Sequence, residues 1–324
     1  MSNPPVNSPK EHNAPVWLVL TMLGMVIVVW GVNIPISKIL LAYFEPMNFQ
    51  VTRLVLSTLV LAVVLLVKEG MPRFSAGDWK QLGILTLMMY VLYQVAFVEG
   101  LVLTHAVHAA IIFASSPFFL VLMARFWGKE PVPRYKYVML VLGILGVLMV
   151  VLEGRFDLNM SPEIIKGDII LFVGITCWNA GSVYQKTLFE THSPLAVTTT
   201  GMVVGTLILY VFNFSDVHFT TILELPHNEF LLYLFTAFMP VAFGIYFWNW
   251  AVDNIGAARS GILATLAPVI GVISSPFIAG EKLLFIQIVG TMITFAAVYL
   301  AEDDRVFMAL CRYFRKRFRK ETRC

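Results

Sequence analysis

Charge is scarce in this chain. Asp, Glu, Lys and Arg make up 13% of its 324 residues while 58% are hydrophobic, which would leave a water-soluble fold of this length without enough polar groups to cover its surface. Cysteine is nearly absent too: Cys177, Cys311 and Cys324 have neither the spacing of a metal site nor the number needed for a disulfide framework. No grouping of Ser, His and Asp with a supporting loop context occurs, which argues against a membrane-embedded, lipid-modifying enzyme, and no cofactor or metal is expected. The first sixteen residues are polar and rich in Pro, Asn and Ser, and lack the basic, apolar, small-residue order of a cleaved signal peptide. The net charge of +3 comes from a C-terminal tail, so it leaves no nucleic-acid-binding footprint.

What the chain has instead is ten long apolar stretches, near 17–37, 46–67, 79–98, 107–127, 135–152, 167–185, 195–212, 230–250, 257–279 and 285–301. Each is about the 20 residues a helix needs to cross the hydrocarbon core. Only helices and closed barrels satisfy the backbone in lipid, and stretches this continuous are helices. The expected fold class is an all-α polytopic membrane protein with ten transmembrane helices. Lys and Arg set its orientation: with a cytoplasmic N-terminus, eighteen fall on the inner side and four (Lys38, Arg155, Lys166, Lys282) on the outer. Both termini are then cytoplasmic, in the plasma (inner) membrane. The expected organisation is a disordered tail 1–16, a first repeat 17–153, an extracytoplasmic loop 154–166, a second repeat 167–301 and a basic tail 302–324. That tail interleaves bases with Phe, Leu, Met and Tyr, a composition suited to anionic headgroups.

The two halves overlay. Residues 106–130, AVHAAIIFASSPFFLVLMARFWGKE, match 257–281, AARSGILATLAPVIGVISSPFIAGE, with Pro117 on Pro268, Glu130 on Glu281 and Ala106 on Ala257. Upstream, WGVNIPISK at 30–38 overlays WNAGSVYQK at 178–186. Five spans per half is an odd number, so the halves are inverted, an arrangement that puts a substrate site near the midplane between the repeats. These same residues, with the Arg of PMNFQVTRLVLSTLVLA in the second span, resemble the EamA type of the drug/metabolite transporter superfamily over nearly the whole chain. The resemblance implies ten helices and export or exchange of small metabolites, often amino acids. It also implies a central cavity lined mainly by spans one, three, four, six, eight and nine. Lys129 between Gly128 and Glu130, and Arg259 where the first half has His108, make the halves chemically unequal.

Polar and aromatic residues at helical spacing mark the inward faces: Trp30, Asn33 and Ser37; Tyr90, Tyr93, Gln94 and Phe97; His108, Ser115 and Phe119; Trp178, Ser182 and Gln185; Tyr246, Asn249 and Asp253. They line a cavity or bind neighbouring helices. Trp127 and Trp250 read as interfacial anchors. Arg53 is the one charge well inside a span, roughly 10 Å deep, with Glu99 the carboxylate nearest in depth; it reads as an ion pair or a set of backbone carbonyl contacts that fixes helix packing, or as a contact to an anionic substrate. Lys38 and Lys186 are repeat-related and either meet a carboxylate or snorkel. Pro117 and Pro268 are the expected hinges. No carboxylate lies mid-membrane, which leaves His105 and His108 as the relay candidates for coupling. The chain reads as a secondary transporter of small polar metabolites, amino acids first. The alternative is a phosphorylated-sugar or nucleotide-sugar carrier, favoured if Lys38, Arg53 and Lys186 face one cavity.

Overall fold

A computed structural model describes residues 14–104, 106–152, 161–278 and 284–302. The tails, Glu281 and Lys282 lie outside this set, as do the side chains of Lys38, His105 and His108. Apart from short connections and two single-turn helices, Lys186–Phe189 and Thr220–Leu223, the described residues form long helices: α1 Val16–Leu40, α2 Pro46–Lys68, α3 Ala76–Leu103, α4 Ala106–Phe126, α5 Arg134–Leu152, α6 Pro162–Tyr184, α7 Pro194–Phe212 and α8 His227–Ile255. A ninth helix, α9, runs in two pieces, Ala257–Ala264 and Leu266–Ile278, and α10 spans Phe285–Glu302. Six of these (α1, α2, α3, α6, α7, α8) are long and apolar enough to cross a membrane, with shorter apolar helices beside them.

Helix starts follow local chemistry. Ser161 and Ser193 accept from the backbone three residues on, and each is followed by a proline at the first helical position, where a missing N–H costs nothing. Ser75 and Asp78 close a capping box on α3. Such caps start α6 at Pro162, five residues ahead of the apolar stretch at 167–185, because capping and hydropathy report different things.

Two helices widen by a residue per turn. In α3 this occurs at Thr86–Leu92 and in α8 at Phe238–Phe243. The offset that places Pro117 on Pro268 carries 86–92 onto 237–243, so the wide turns are repeat-equivalent. Pro240 lies in the second; the first contains no proline. Wide turns of this kind concentrate at functional positions.

Helix packing follows the same relation. α1 packs against α8 and α9, as its counterpart α6 packs against α3 and α4; α2 meets α7, α4 meets α9 and α5 meets α10. Small residues make the crossings close. A Cβ on Gly146 of α5 would stand 2.7 Å from the Gly290 carbonyl of α10, and one on Gly205 of α7 would stand 2.9 Å from the Tyr90 carbonyl of α3.

Candidate substrate site between the two halves

Three tryptophans meet where α1, α6 and α8 converge. Trp30 and Trp178 lie edge-on with ring centroids 6.0 Å apart, and Trp248 sits 5.4 Å from Trp30 and 6.5 Å from Trp178. Tyr93 of α3 packs on Trp178 at 4.8 Å, with Phe97 beyond it. Gly244 admits the Trp30 indole, since a Cβ there would stand 2.6 Å from Nε1. That Nε1 donates to the Pro240 carbonyl in the wide turn of α8, at 2.9 Å. Trp248 is buried, whereas Trp30, Asn33, Tyr93 and Trp178 stay half-buried. Trp178 keeps part of its surface exposed although α1, α3 and α8 supply rings around it. Sequence reasoning missed Trp248, yet the repeat offset lands on it from Phe97, a residue already on the candidate face.

Below this cluster lies a buried amide network. Asn249 Nδ2 donates to Tyr90 Oη at 3.2 Å and to Thr198 Oγ1 at 2.8 Å, while its Oδ1 accepts from Gln185 Nε2 at 2.9 Å. Trp248 Nε1 donates to Ser182 Oγ at 3.3 Å. The network ties α3, α6, α7 and α8 together, and Asn249, Gln185 and Ser182 have no exposed surface. In this conformation they join helices. Asn179 and Ser116, both missed, exchange two 3.1 Å bonds between α6 and α4. The other candidates turn elsewhere: Ser37 donates to Asn33, Ser115 to its own helix at Ile112, Phe119 packs on Phe172, and Tyr246 packs beside Phe247.

The expected pairing of Arg53 with Glu99 does not form. Arg53 Nη2 donates to Gln50 Oε1, Gln50 Nε2 donates to Gln94 Oε1, and Gln94 Nε2 donates to the Met89 carbonyl at 3.3 Å. Glu99 is exposed. Depth along a span says nothing about angle around it: Val98 and Gln94 take the buried face of α3, which leaves Glu99 outward, and Arg53 turns back onto Phe49 and Gln50 of its own helix.

Lys186 meets a carboxylate, and it is one of the protein's own. Its Nζ pairs with Glu130 Oε1 at 2.9 Å, and the same carboxylate accepts from the backbone N–H groups of Ala257 and Ala258 at 3.0 and 2.9 Å. Glu130 thereby caps the start of α9, where negative charge is favoured, and holds the ends of α4 and α6 to it. Gly256 makes this possible: its φ of 87° suits glycine, and a Cβ there would stand 3.0 Å from Oε2. Of the two expected hinges, Pro117 lies inside continuous α4, while α9 breaks at Thr265, three residues before Pro268. Among the described residues no cluster of His, Cys, Asp and Glu is suited to a metal.

The model of the EamA-like transporter family matches twice, at residues 16–152 and 165–302. An uncharacterized transporter of Bacillus subtilis, YyaM, is 26% identical over 84% of this chain and 89% of its own length. A probable amino-acid metabolite efflux pump of Salmonella typhimurium is 23% identical over 85% and 92% respectively. One solved crystal structure superposes with a TM-score of 0.73 at 13% identity, covering 88% of this chain and 96% of that one, so the fold is shared. The chain belongs to the EamA-like transporter family of the drug/metabolite transporter superfamily: it is a multi-pass, all-helical membrane transporter with two EamA domains, and not an enzyme.

Proposed function

We propose that the protein is a secondary transporter that exports or exchanges small polar metabolites, amino acids or related compounds first, by alternating access. The observation that carries this reading is the meeting of Trp30, Trp178 and Trp248 from both repeats, with half-buried ring surface on Trp30 and Trp178. Two repeats of five spans, 17–153 and 167–301, sit in opposite orientations, and the paired packing of counterpart helices and the repeat-equivalent wide turns support that arrangement. The Salmonella pump's name supports the substrate class. The phosphorylated-sugar alternative needs several cations on one cavity, and the engagement of Lys186 with Glu130 counts against it.

Both termini face the cytoplasm in this reading, with the basic tail on anionic lipids. Cysteine labelling at Ser8 and Thr322 tests it; reaction from outside at either position would remove this topology and with it the inverted repeat.

In the substrate-occupied state the apolar part of the molecule lies against Trp30, Tyr93 and Trp178, with Asn33 and Gln94 next to its polar part. Trp30→Phe and Trp178→Phe keep most of the ring volume, so packing alone gives one modest loss for all substrates. Contact with substrate changes their ranking. A screen of labelled amino acids in proteoliposomes should show a reordered preference for each variant; an unchanged order in both would remove the tryptophans from the site.

A further inference from the structure

Most of the donors on Arg53 are unused. The side chain is buried, with 3% of its surface left, and gives one hydrogen bond, to Gln50; Nε and Nη1 meet no acceptor. Among the described residues no carboxylate pairs with it. The Phe49 ring lies 4.2 Å from Cζ, and the phenols of Tyr93 and Tyr233 are within electrostatic reach. Tyr233 is fully buried, stacked on Phe44 at 5.3 Å and edge-on to Phe49 at 6.2 Å; its hydroxyl has no partner within hydrogen-bonding geometry, and the Thr52 hydroxyl donates to the Asn48 carbonyl instead.

A guanidinium keeps its charge, and a cation over one aromatic face recovers only part of what burial in a membrane protein costs. An ordinary structural arginine would find a carboxylate or a set of backbone carbonyls. Here one neutral amide oxygen serves, and three polar atoms, Nε, Nη1 and the Tyr233 hydroxyl, are left without partners. An anion that accepts from them completes the set, and a carboxylate offers two acceptor oxygens.

We propose that Arg53 and Tyr233, with Gln50 orienting the guanidinium, form the subsite that binds the carboxylate of the transported molecule, an assignment that rests on the reading of the protein as a carrier of amino acids or related compounds. Gln94, bonded to Arg53 through Gln50, lies next to Tyr93 on α3, and Tyr93 packs on Trp178 at 4.8 Å, so the carboxylate end and the ring-lined end belong to one elongated site. The subsite also reaches both wide turns. Through Gln50 and Gln94 it leads to the Met89 carbonyl in α3, and Ser57 Oγ, one turn beyond Arg53, lies 2.7 Å from the Ala237 carbonyl that opens the wide turn of α8. The single positive charge of Arg53 suits a monoanionic carboxylate better than a phosphate.

The test is thermal unfolding of the full-length, detergent-purified protein titrated with sodium acetate, inorganic phosphate and sodium chloride at matched ionic strength. Wild type should be stabilised saturably by acetate and not by chloride. Arg53→Gln should lose the acetate response, and Tyr233→Phe should weaken it about tenfold. Without ligand, Arg53→Gln should unfold no lower than wild type, because it removes a buried charge that has no counter-ion. If Arg53→Gln does not fold, Arg53→Met and Tyr233→Phe make the comparison. Equal responses to acetate and chloride, or an acetate response that survives in the Arg53 variants, would overturn the subsite; phosphate stabilising more than acetate would overturn the carboxylate. An acetate response confined to proteins with Arg53, alongside a wild type that moves no amino acid, supports the anion subsite while removing the substrate class.

Discussion

Glu130→Ala should slow transport at least tenfold and lower thermal stability. One carboxylate neutralises Lys186 and accepts two backbone N–H groups of α9. The side chains of Glu130 and Lys186 are 12% and 34% exposed, so solvent screens the lost pair and its contribution falls below that of a fully buried one. Discounting on that ground, the pair and the lost cap together give a loss of about 2 kcal/mol. A bias of that size moves a two-state equilibrium more than tenfold, and the three helix ends it joins come from both repeats. Glu130→Gln keeps an acceptor for Ala257 and Ala258 and should lose about half as much. Unfolding scans and uptake rates together check this; wild-type values in Glu130→Ala would reduce the latch to a surface contact.

The second large effect is expected at Asn249. Leucine fits its volume but removes the partner of Tyr90 Oη and Thr198 Oγ1 and leaves Gln185 Nε2 only the Ser182 carbonyl at 3.5 Å, in a region where Asn249 and Gln185 have no exposed surface. Buried polar groups in membrane helices find partial substitutes when a partner is removed, so each bond is worth about 0.6 to 1.5 kcal/mol. Three such bonds put Asn249→Leu about 3 kcal/mol below wild type. Thr198→Val removes one acceptor and should cost about a third of that. Unfolding midpoints in detergent check the ratio, and equal losses in the two variants would show that Asn249 is not the hub.

Much of this architecture is legible in the residues. Apolar runs of spanning length mark the helices, whereas Ser-Pro pairs open two of them and lie inside two others. The identity of Trp30 with Trp178 across the repeat brings the two rings together, as the structure has them. Trp248 hides because Tyr246, Asn249 and Asp253 form a more obvious stripe on α8. Thr198, Asn179 and Ser116 hide for a different reason: small polar residues are common on apolar helices, and only the tertiary arrangement tells which ones bond across them. The wide turn in α3 carries no proline and so has no mark in the sequence, although its counterpart at Pro240 does. Arg53 shows the limit of reading by depth. Its distance from the membrane surface could be counted, but its angle around α2, and with it the absence of Glu99, could not.

The proposed mechanism requires one site to be exposed alternately to the two sides of the membrane, which counterflow in proteoliposomes tests most directly. Vesicles preloaded with an unlabelled amino acid that the screen identifies should accumulate the labelled compound transiently and faster than empty vesicles, and Trp178→Ala should suppress the overshoot. Uptake indifferent to internal substrate, with the same rate in loaded and empty vesicles, would contradict alternating access.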